Sequence, residues 1–432
     1  MNRSHRRTFL TSTARGALAT GLYAGHSVAR QQKTPQHTYR VAVIGSTGRG
    51  GYGHGLDSAF QDVDRARIVA VSDPNPSGRR KAAVRLDVSN AYADYRRMLD
   101  LENPDIVCVC PGWVNDRVEM VTAAAAGGAH IYCEKPFTST LQKADRMVEE
   151  CRRAGIRLAM AHQWAAMPPV QKIVQEIRAG EYGKLLRAYV RPKDDSRGGG
   201  HELILHGTHH FTLLFSMAGP PRWVFGHLQV DGRDVTRADR STTVRHLGPI
   251  AGDSVSAMVG FDNGTRAFFD STSGLAVGDQ RRFDNLFGVA LECEKQRIQL
   301  RQPGDAYLYG APTVLADIGG LRWEKVLMND WHYSADGTPR DIRRQWLHIG
   351  NTILANDLID AIEENREPIS GIEHARLITE VVQAVYESHF TEKRVTLPLK
   401  QRNHPLEEDA KDTAGLCGNR QPESDAGRDS VA

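Results

Sequence analysis

The chain has 432 residues, of which 40% are hydrophobic and 25% charged, with a formal net charge of +3 at pH 7. That length exceeds one ordinary core and that composition is typical of a soluble globular protein, so two domains are expected. The near-neutral balance gives no basic face for nucleic acid, and the irregularly spaced cysteines (108, 110, 133, 151, 293 and 417) fit neither a zinc ribbon nor a dense disulfide framework.

Residues 1–29 read as a targeting segment. Arg6-Arg7-Thr8-Phe9-Leu10 precedes a weakly apolar stretch from Ala14 to Gly25 and a small-residue site, Ser27-Val28-Ala29, with no acidic residue among the first 30. The segment resembles a twin-arginine export signal, with His5 where Ser or Thr is usual, and Arg15 leaves its apolar run too short to span a membrane. The expectation is export to the periplasm through the twin-arginine translocase. Cleavage after Ala29 removes Arg3, Arg6, Arg7 and Arg15 and turns the formal charge from +3 to −1. Residues 30–38 then form a linker.

A parallel sheet covered on both faces by helices is expected over residues 39–162. Tyr39 to Ile44 is a β-branched apolar run that stops at Gly45-Ser46-Thr47-Gly48-Arg49-Gly50-Gly51, with a helix expected from about Tyr52. Strand, glycine turn and helix would together cradle a phosphate at the positive helix end. Counted from Gly45, the G-x-G-x-x-G fingerprint has Thr47 at its second glycine and Gly50 at its third, which points to a shifted loop using Gly48 or to weaker binding. The next strand, Arg67 to Ser72, ends in Asp73, placed to accept adenosine ribose hydroxyls. Asp73 favours NAD, while Arg79 and Arg80 leave NADP as the alternative. Strands and helices then alternate through Asp105–Cys110, Asn115–Ala126, Ala129–Cys133, Ser139–Ala154 and Ile156–Met160. At the carboxyl ends of these strands, where such sheets bind ligands, lie Asp73, Pro111 and Glu134-Lys135-Pro136. His162 follows the last strand as a substrate or nicotinamide contact.

The strict alternation ends there, and residues 163–400 read as an α+β domain with a large, mostly antiparallel open sheet. Its strand candidates are Leu185–Arg191, Arg222–Val230, Ser254–Phe261, Thr265–Ser271 and Leu286–Glu292, with a hairpin turn at Asp262-Asn263-Gly264. Helical patterns at Thr352–Glu364 and His374–Phe390 complete it. Trp323, Trp331 and Trp346 suit core packing or the apolar wall of a sugar site. Between the sheet signals lies Gly198-Gly199-Gly200-His201-Glu202-Leu203-Ile204-Leu205-His206-Gly207-Thr208-His209-His210. A glycine entry lets backbone approach a ligand, and an imidazole titrating near neutral pH can take or give a proton. A metal site from His206, His209 and His210 lacks a completing carboxylate pattern apart from Glu202, so no metal is expected. Residues 401–432, polar and poor in large apolar groups, are expected to be a disordered tail.

The glycine loop, Asp73, Glu134-Lys135-Pro136, Gly199-Gly200 and Gly207-x-His209, with Tyr386-Glu387-Ser388 before Val395 to Leu399, resemble the Gfo/Idh/MocA family of nicotinamide-dependent oxidoreductases from about Tyr39 to Lys400. A branch of that family also shares the patterns Arg197-Gly198-Gly199-Gly200 and Ala251-Gly252-Asp253. The resemblance implies a Rossmann domain followed by an α+β domain whose open sheet forms a homo-oligomer interface, in a dimer or tetramer. It implies a carbohydrate or polyol substrate, Lys135 beside the nicotinamide and the reacting hydroxyl, Glu134 on the cofactor, and His209 as acid or base. Gly45, Ser46, Thr47, Gly48, Arg49, Gly50 and Pro111 would contact the dinucleotide, and His206 the substrate. Four positions depart from the pattern: Thr47 for glycine, Arg117 for a histidine, and Leu205 and Thr212 for aspartates.

The expected function is that of an exported NAD(P)-dependent oxidoreductase acting on a sugar, polyol or glycoside. Free nicotinamide is scarce outside the cytoplasm, so a tightly held cofactor is expected. The alternatives are a redox-neutral, glycosidase-like cycle of oxidation, elimination and re-reduction on retained NAD, and a non-catalytic dinucleotide- or ligand-binding protein.

Overall fold

The structure, a computed structural model, describes residues 37–242, 246–275, 287–310 and 322–407. The expected export signal, most of the linker that follows it and Cys417 lie outside the described residues.

Six parallel strands form the first sheet in the order β3-β2-β1-β4-β5-β6. They are β1 (Tyr39–Ile44), β2 (Ala66–Ser72), β3 (Asn90–Tyr92), β4 (Ile106–Val109), β5 (His130–Cys133) and β6 (Leu158–Met160). Val41, Ala42, Val43 and Ile44 are all buried, as a strand covered on both faces requires. The connecting helices are α1 (Pro76–Leu86), α2 (Tyr95–Glu102), α3 (Arg117–Ala126) and α4 (Leu141–Ala154). Asn75 caps α1 through the Gly78 amide and Thr140 caps α4 through the Lys143 amide, while Gly155, at φ 68°, ends α4.

The helix expected from Tyr52 does not form. Residues 45–55 are a loop, followed by a single 3₁₀ turn at Leu56–Ser58. Gly48, Gly50, Gly51, Gly53 and Gly55 all have positive φ, between 57° and 90°, which no right-handed helix accepts. The sheet face left open is covered from far along the chain by α9 (Ile342–Glu363). Its Leu354, Ala355, Leu358 and Ile359 pack in one apolar cluster with Val41 and Val43 of β1, Leu56 and Phe60. A helix counted with the second domain on sequence order therefore belongs to the core of the first sheet.

The second sheet runs β17-β16-β15-β14-β7-β13-β12-β8-β18, with the short β9 (Arg233–Asp234) paired to β8. Its members are β7 (Leu185–Arg191), β8 (Pro221–Val230), β12 (Ser254–Phe261), β13 (Arg266–Thr272), β14 (Gly288–Cys293), β15 (Arg297–Arg301), β16 (Asp305–Tyr309), β17 (Trp323–Lys325) and β18 (Val395–Thr396). β7 and β13 pair in parallel and the other pairings are antiparallel. The Asp262-Asn263-Gly264 turn joins β12 to β13, with Gly264 at φ 85°. A two-stranded ribbon, β10 (Ser241–Thr242) with β11 (Pro249–Ile250), stands apart.

The inner face of this sheet packs on α10 (Ile372–Thr391) and α7 (Gly207–Ala218), with α5 (Pro168–Arg178) beside α7 and against β16. α7 is buried along its whole length, and α6 (Gly200–Leu205) leads into it. Of the three tryptophans, Trp331 on the short α8 (Asn329–His332) is buried, Trp346 packs at the core margin, and Trp323 on the edge strand is exposed. Residues 401–407 depart from the disordered tail expected over residues 401–432, the rest of which lies outside the described residues. Leu406 and His404 are buried, and the Arg237 guanidinium donates to the Pro405 carbonyl, so residues 401–407 close over the core because Pro405 and Leu406 have apolar surface to bury.

Candidate active site

Lys135 leaves the end of β5 just as α7 presents its first turn, and the two meet in a buried cluster of nitrogen bases. Lys135 is 4% exposed, His209 3%, His206 7% and His162 1%. The His162 and His209 rings meet edge to face at 5.3 Å, and His206 lies 6.3 Å from His209. His162 Nδ1 is held by the hydroxyls of Ser370 at 2.7 Å and Thr212 at 2.9 Å. Its Nε2 and the Nδ1 of His209 are buried with no hydrogen-bond partner among the described residues.

Burial, followed by the nearby Lys135 ammonium, drives His162 down to about 3 and His209 well below the usual imidazole range. Both rings are therefore neutral at physiological pH and able to accept a proton. His206 is likewise held neutral, by burial first and then by Lys135, and hydrogen-bonds Glu202 at 2.5 Å through Nδ1. His210 turns away: its Nδ1 donates to the His206 carbonyl, and its ring stands 5.1 Å from Trp164. Among the described residues no group of three or more His, Cys, Asp or Glu is arranged to hold a metal ion.

Glu134 is fully buried beside Lys135 and accepts from the His54 amide at 2.9 Å and from His54 Nδ1 at 3.0 Å. Burial alone would raise its pKa, but His54 and the Lys135 ammonium outweigh it and lower it. Gly53 lies so close that a Cβ there would fall 2.3 Å from the carboxylate. The glycine loop is thus folded onto Glu134.

Two of the departures acquire roles. Thr212, where the resemblance implies an aspartate, supplies a neutral hydroxyl to His162. Arg117 is 1% exposed, and its guanidinium donates to the carbonyls of Pro111, Pro136 and Phe137, tying the Pro111 loop to the segment after Lys135. In the sequence Arg117 stood out only as the residue at which the resemblance implies a histidine. Asn351 of α9 is a further contributor that sequence order concealed. It is fully buried, its amide oxygen accepts from Tyr132 and Gln163, and its amide nitrogen donates to the His54 carbonyl.

The triple glycine has a different use from the one expected. It admits protein backbone rather than ligand. A Cβ on Gly198 would fall 2.2 Å from the Ser273 nitrogen, one on Gly199 2.4 Å from the Asp253 carbonyl carbon, and one on Gly200 2.2 Å from the Ala251 oxygen. The motifs Gly198-Gly199-Gly200 and Ala251-Gly252-Asp253 are therefore two halves of one backbone contact, closed by the Gly200 amide on the Gly252 carbonyl at 3.1 Å.

At the carboxyl ends of β1 and β2 a cavity of about 370 Å³ is lined by Gly45, Ser46, Arg49, Ser72 and Pro74, with Asp116 at the start of α3. Arg49 and Asp116 pair across it at 2.6 Å, and the Ser72 hydroxyl is buried without a partner among the described residues. Position, size and the Ser72 hydroxyl suit the adenosine half of a dinucleotide. Pro111 and Gly112 are linked to the glycine loop, the Gly112 amide donating to the Gly50 carbonyl at 3.1 Å. Asp73 is placed differently from the sequence expectation. It is fully buried, and its carboxylate already accepts from Thr47, Tyr52 and Asn75. Arg79 is spent on the Asp73 carbonyl at 2.7 Å, and Arg80 is exposed.

Residues 39–162 match the GFO_IDH_MocA family model, described as an oxidoreductase family with an NAD-binding Rossmann fold. The chain is 28% identical over 258 residues to a myo-inositol 2-dehydrogenase of Thermotoga maritima, which covers 58% of this chain and 72% of that protein. An inositol 2-dehydrogenase of Streptomyces avermitilis is 26% identical over 319 residues, 71% of this chain and 82% of that protein. The solved structure of a levoglucosan dehydrogenase with NADH and levoglucosan superposes with a TM-score of 0.65 at 19% identity, covering 84% of this chain and 100% of that one. At that identity the last likeness speaks for the fold.

Proposed function

We propose that the protein exchanges hydride between a nicotinamide and a sugar or polyol at the Lys135–His209 cluster, a reading supported by the match of residues 39–162 to an oxidoreductase family with an NAD-binding Rossmann fold. The observation that carries this reading is the pair of buried, neutral imidazole nitrogens, His209 Nδ1 and His162 Nε2, that have no partner among the described residues and lie beside a buried Lys135. Bound NAD would supply the hydride acceptor. His209 takes the hydroxyl proton as the carbon is oxidised, which requires the neutral ring that burial enforces. The Lys135 ammonium favours the developing alkoxide. Such acid–base assistance is worth about 10²–10⁴-fold in rate. His162, fixed by Ser370 and Thr212, and His206, fixed by Glu202, orient the remaining hydroxyls. The inositol and levoglucosan dehydrogenases among the relatives support a polyhydroxylated substrate.

The same reading includes export and a retained cofactor. The arginine pair and small-residue site of residues 1–29 support transport to the periplasm, where only a nicotinamide that stays bound can be recycled. It also includes a homo-oligomer. Tyr189, Phe268, Met258 and Phe225 stand in register across the outer face of the second sheet, and Tyr189 and Phe225 are exposed.

The test is to denature the purified protein and identify any released nucleotide, then to follow reduced-nicotinamide absorbance in the native protein as inositols, anhydrosugars and glycosides are added. Lys135→Met and His209→Ala should lose at least about 10²-fold in turnover while keeping the native circular dichroism. Full activity in both variants would refute the site. Product formed from a glycoside without net reduction would replace dehydrogenation by the redox-neutral cycle.

A further inference from the structure

The Asp73 carboxylate is surrounded by its own protein. Oδ2 accepts from the Thr47 hydroxyl at 2.6 Å and the Tyr52 hydroxyl at 2.9 Å, Oδ1 from the Asn75 amide at 2.9 Å, and the Thr47 amide reaches both oxygens at 3.2 and 3.1 Å. A carboxylate offers about four acceptor sites, so nothing is left for a ligand. The arrangement is built in by two glycines. The Thr47 hydroxyl lies 2.0 Å from where a Cβ of Gly78 would be, and the Tyr52 ring lies 2.2 Å from where a Cβ of Gly45 would be. Gly45, the first glycine of the fingerprint, thus makes room for a side chain of its own loop, while Thr47 occupies the second position, where the fingerprint brings backbone to pyrophosphate. Arg85 stacks on Tyr52 at 4.8 Å and pairs with Asp57 at 2.6 Å, which fixes the ring. Ser72 and Pro74, on either side of Asp73, line the adjoining cavity, whereas neither Asp73 nor Thr47 does.

We infer that Thr47 and Tyr52 are specificity-determining residues that withhold Asp73 from the adenosine ribose. An acidic residue open at this position grips the ribose hydroxyls of NAD and repels the 2′-phosphate of NADP. Clasped by two hydroxyls, Asp73 no longer grips the ribose, and its charge, solvated by its own donors and set back from the cavity, repels a 2′-phosphate less, so the protein binds the two dinucleotides with similar affinity. The inference rests on the dinucleotide reading of residues 39–162. It adds that the residue at the second fingerprint position sets cofactor choice.

The experiment titrates NADH and NADPH against nucleotide-stripped full-length protein by their fluorescence, for the wild type, Thr47→Ser, Thr47→Gly and Thr47→Gly/Tyr52→Phe. The wild type and Thr47→Ser should bind the two within about tenfold of each other. Thr47→Gly and the double variant should prefer NADH by a further tenfold or more, about the worth of one hydrogen bond to a charged acceptor, mainly through tighter NADH binding. A wild type already selective for NADH by more than about a hundredfold overturns the inference, because the clasp must then open on binding. So does a selectivity unchanged in both Thr47→Gly variants. Should the double variant not fold, Thr47→Gly and the wild-type ratio still decide. Binding of neither dinucleotide by any variant would instead overturn the dinucleotide reading itself.

Discussion

Replacing Asn351 by leucine, a side chain of similar size, tests how far α9 holds the cofactor end of the site together. The amide oxygen accepts from Tyr132 at 2.8 Å and from Gln163 at 2.7 Å, and the amide nitrogen donates to the His54 carbonyl at 3.0 Å. Leucine breaks three hydrogen bonds and strands the Tyr132 hydroxyl and the Gln163 amide in a dry interior, where each orphan costs about 1–3 kcal/mol. The His54 carbonyl is nearer solvent and adds less, so the expected loss is about 3–5 kcal/mol, a large part of the 5–15 typical of a domain. Urea unfolding followed by tryptophan fluorescence measures it. A second substitution makes the reasoning specific: Tyr132→Phe alone should cost about 1 kcal/mol, yet in the Asn351→Leu background it should recover about 1–2 by removing the stranded hydroxyl. A loss below about 1 kcal/mol for Asn351→Leu, or additive behaviour in the pair, would refute the network.

Three further outcomes follow from the same structure. His404 is buried and held down to about 3, by burial first and then by Arg240, against about 6.5 in an unfolded chain. Its folded pKa is depressed, so between about pH 6.5 and 3 the unfolded chain binds the extra proton and stability falls on acidification. His404→Leu should remove up to about 1.4 kcal/mol per pH unit from that slope, read from urea unfolding at several pH values, and an unchanged slope would contradict the burial. Gly199 has φ 70° and backbone against its missing Cβ, so Gly199→Ala should destabilise by about 2 kcal/mol or more, visible as a fall of several degrees in Tm; a neutral effect would show that the glycine contact yields. Phe225→Arg, on the exposed face of the second sheet, should shift sedimentation toward smaller species, and an unchanged distribution would exclude that face as the subunit contact.

Much of the architecture is written in local pattern. The apolar run Val41 to Ile44, the strands that recur from Ile106 to Met160 and the Asp262-Asn263-Gly264 turn each specify their element by periodicity or turn chemistry, and the parallel sheet followed by a mostly antiparallel one emerges from their succession. Glu134-Lys135 and the histidines of α7 were visible as chemistry-bearing residues because lysine and histidine are costly to bury and stand out against apolar neighbours.

What local pattern could not decide is which surfaces meet. The loop after β1 looked like the start of a helix, yet five positive-φ glycines exclude one, and the vacancy on the sheet is filled by α9 from some 300 residues later, a contact that no short window contains. Gly198 to Gly200 read equally well as a ligand entry, and only the approach of Ala251 to Asp253 and of Ser273 shows that the ligand is the chain's own backbone. Asp73 shows the division most sharply. Its type and place at the end of β2 come from the sequence, but a carboxylate acts on whatever donor reaches it first, and it is the folded loop that brings Thr47 and Tyr52 there. Sequence by itself determined the strands, the turn and the reactive side chains, because these depend on short-range sterics and polarity. Tertiary structure decided which of those side chains remain free to act, because that depends on hydrogen-bond partners delivered from distant parts of the chain.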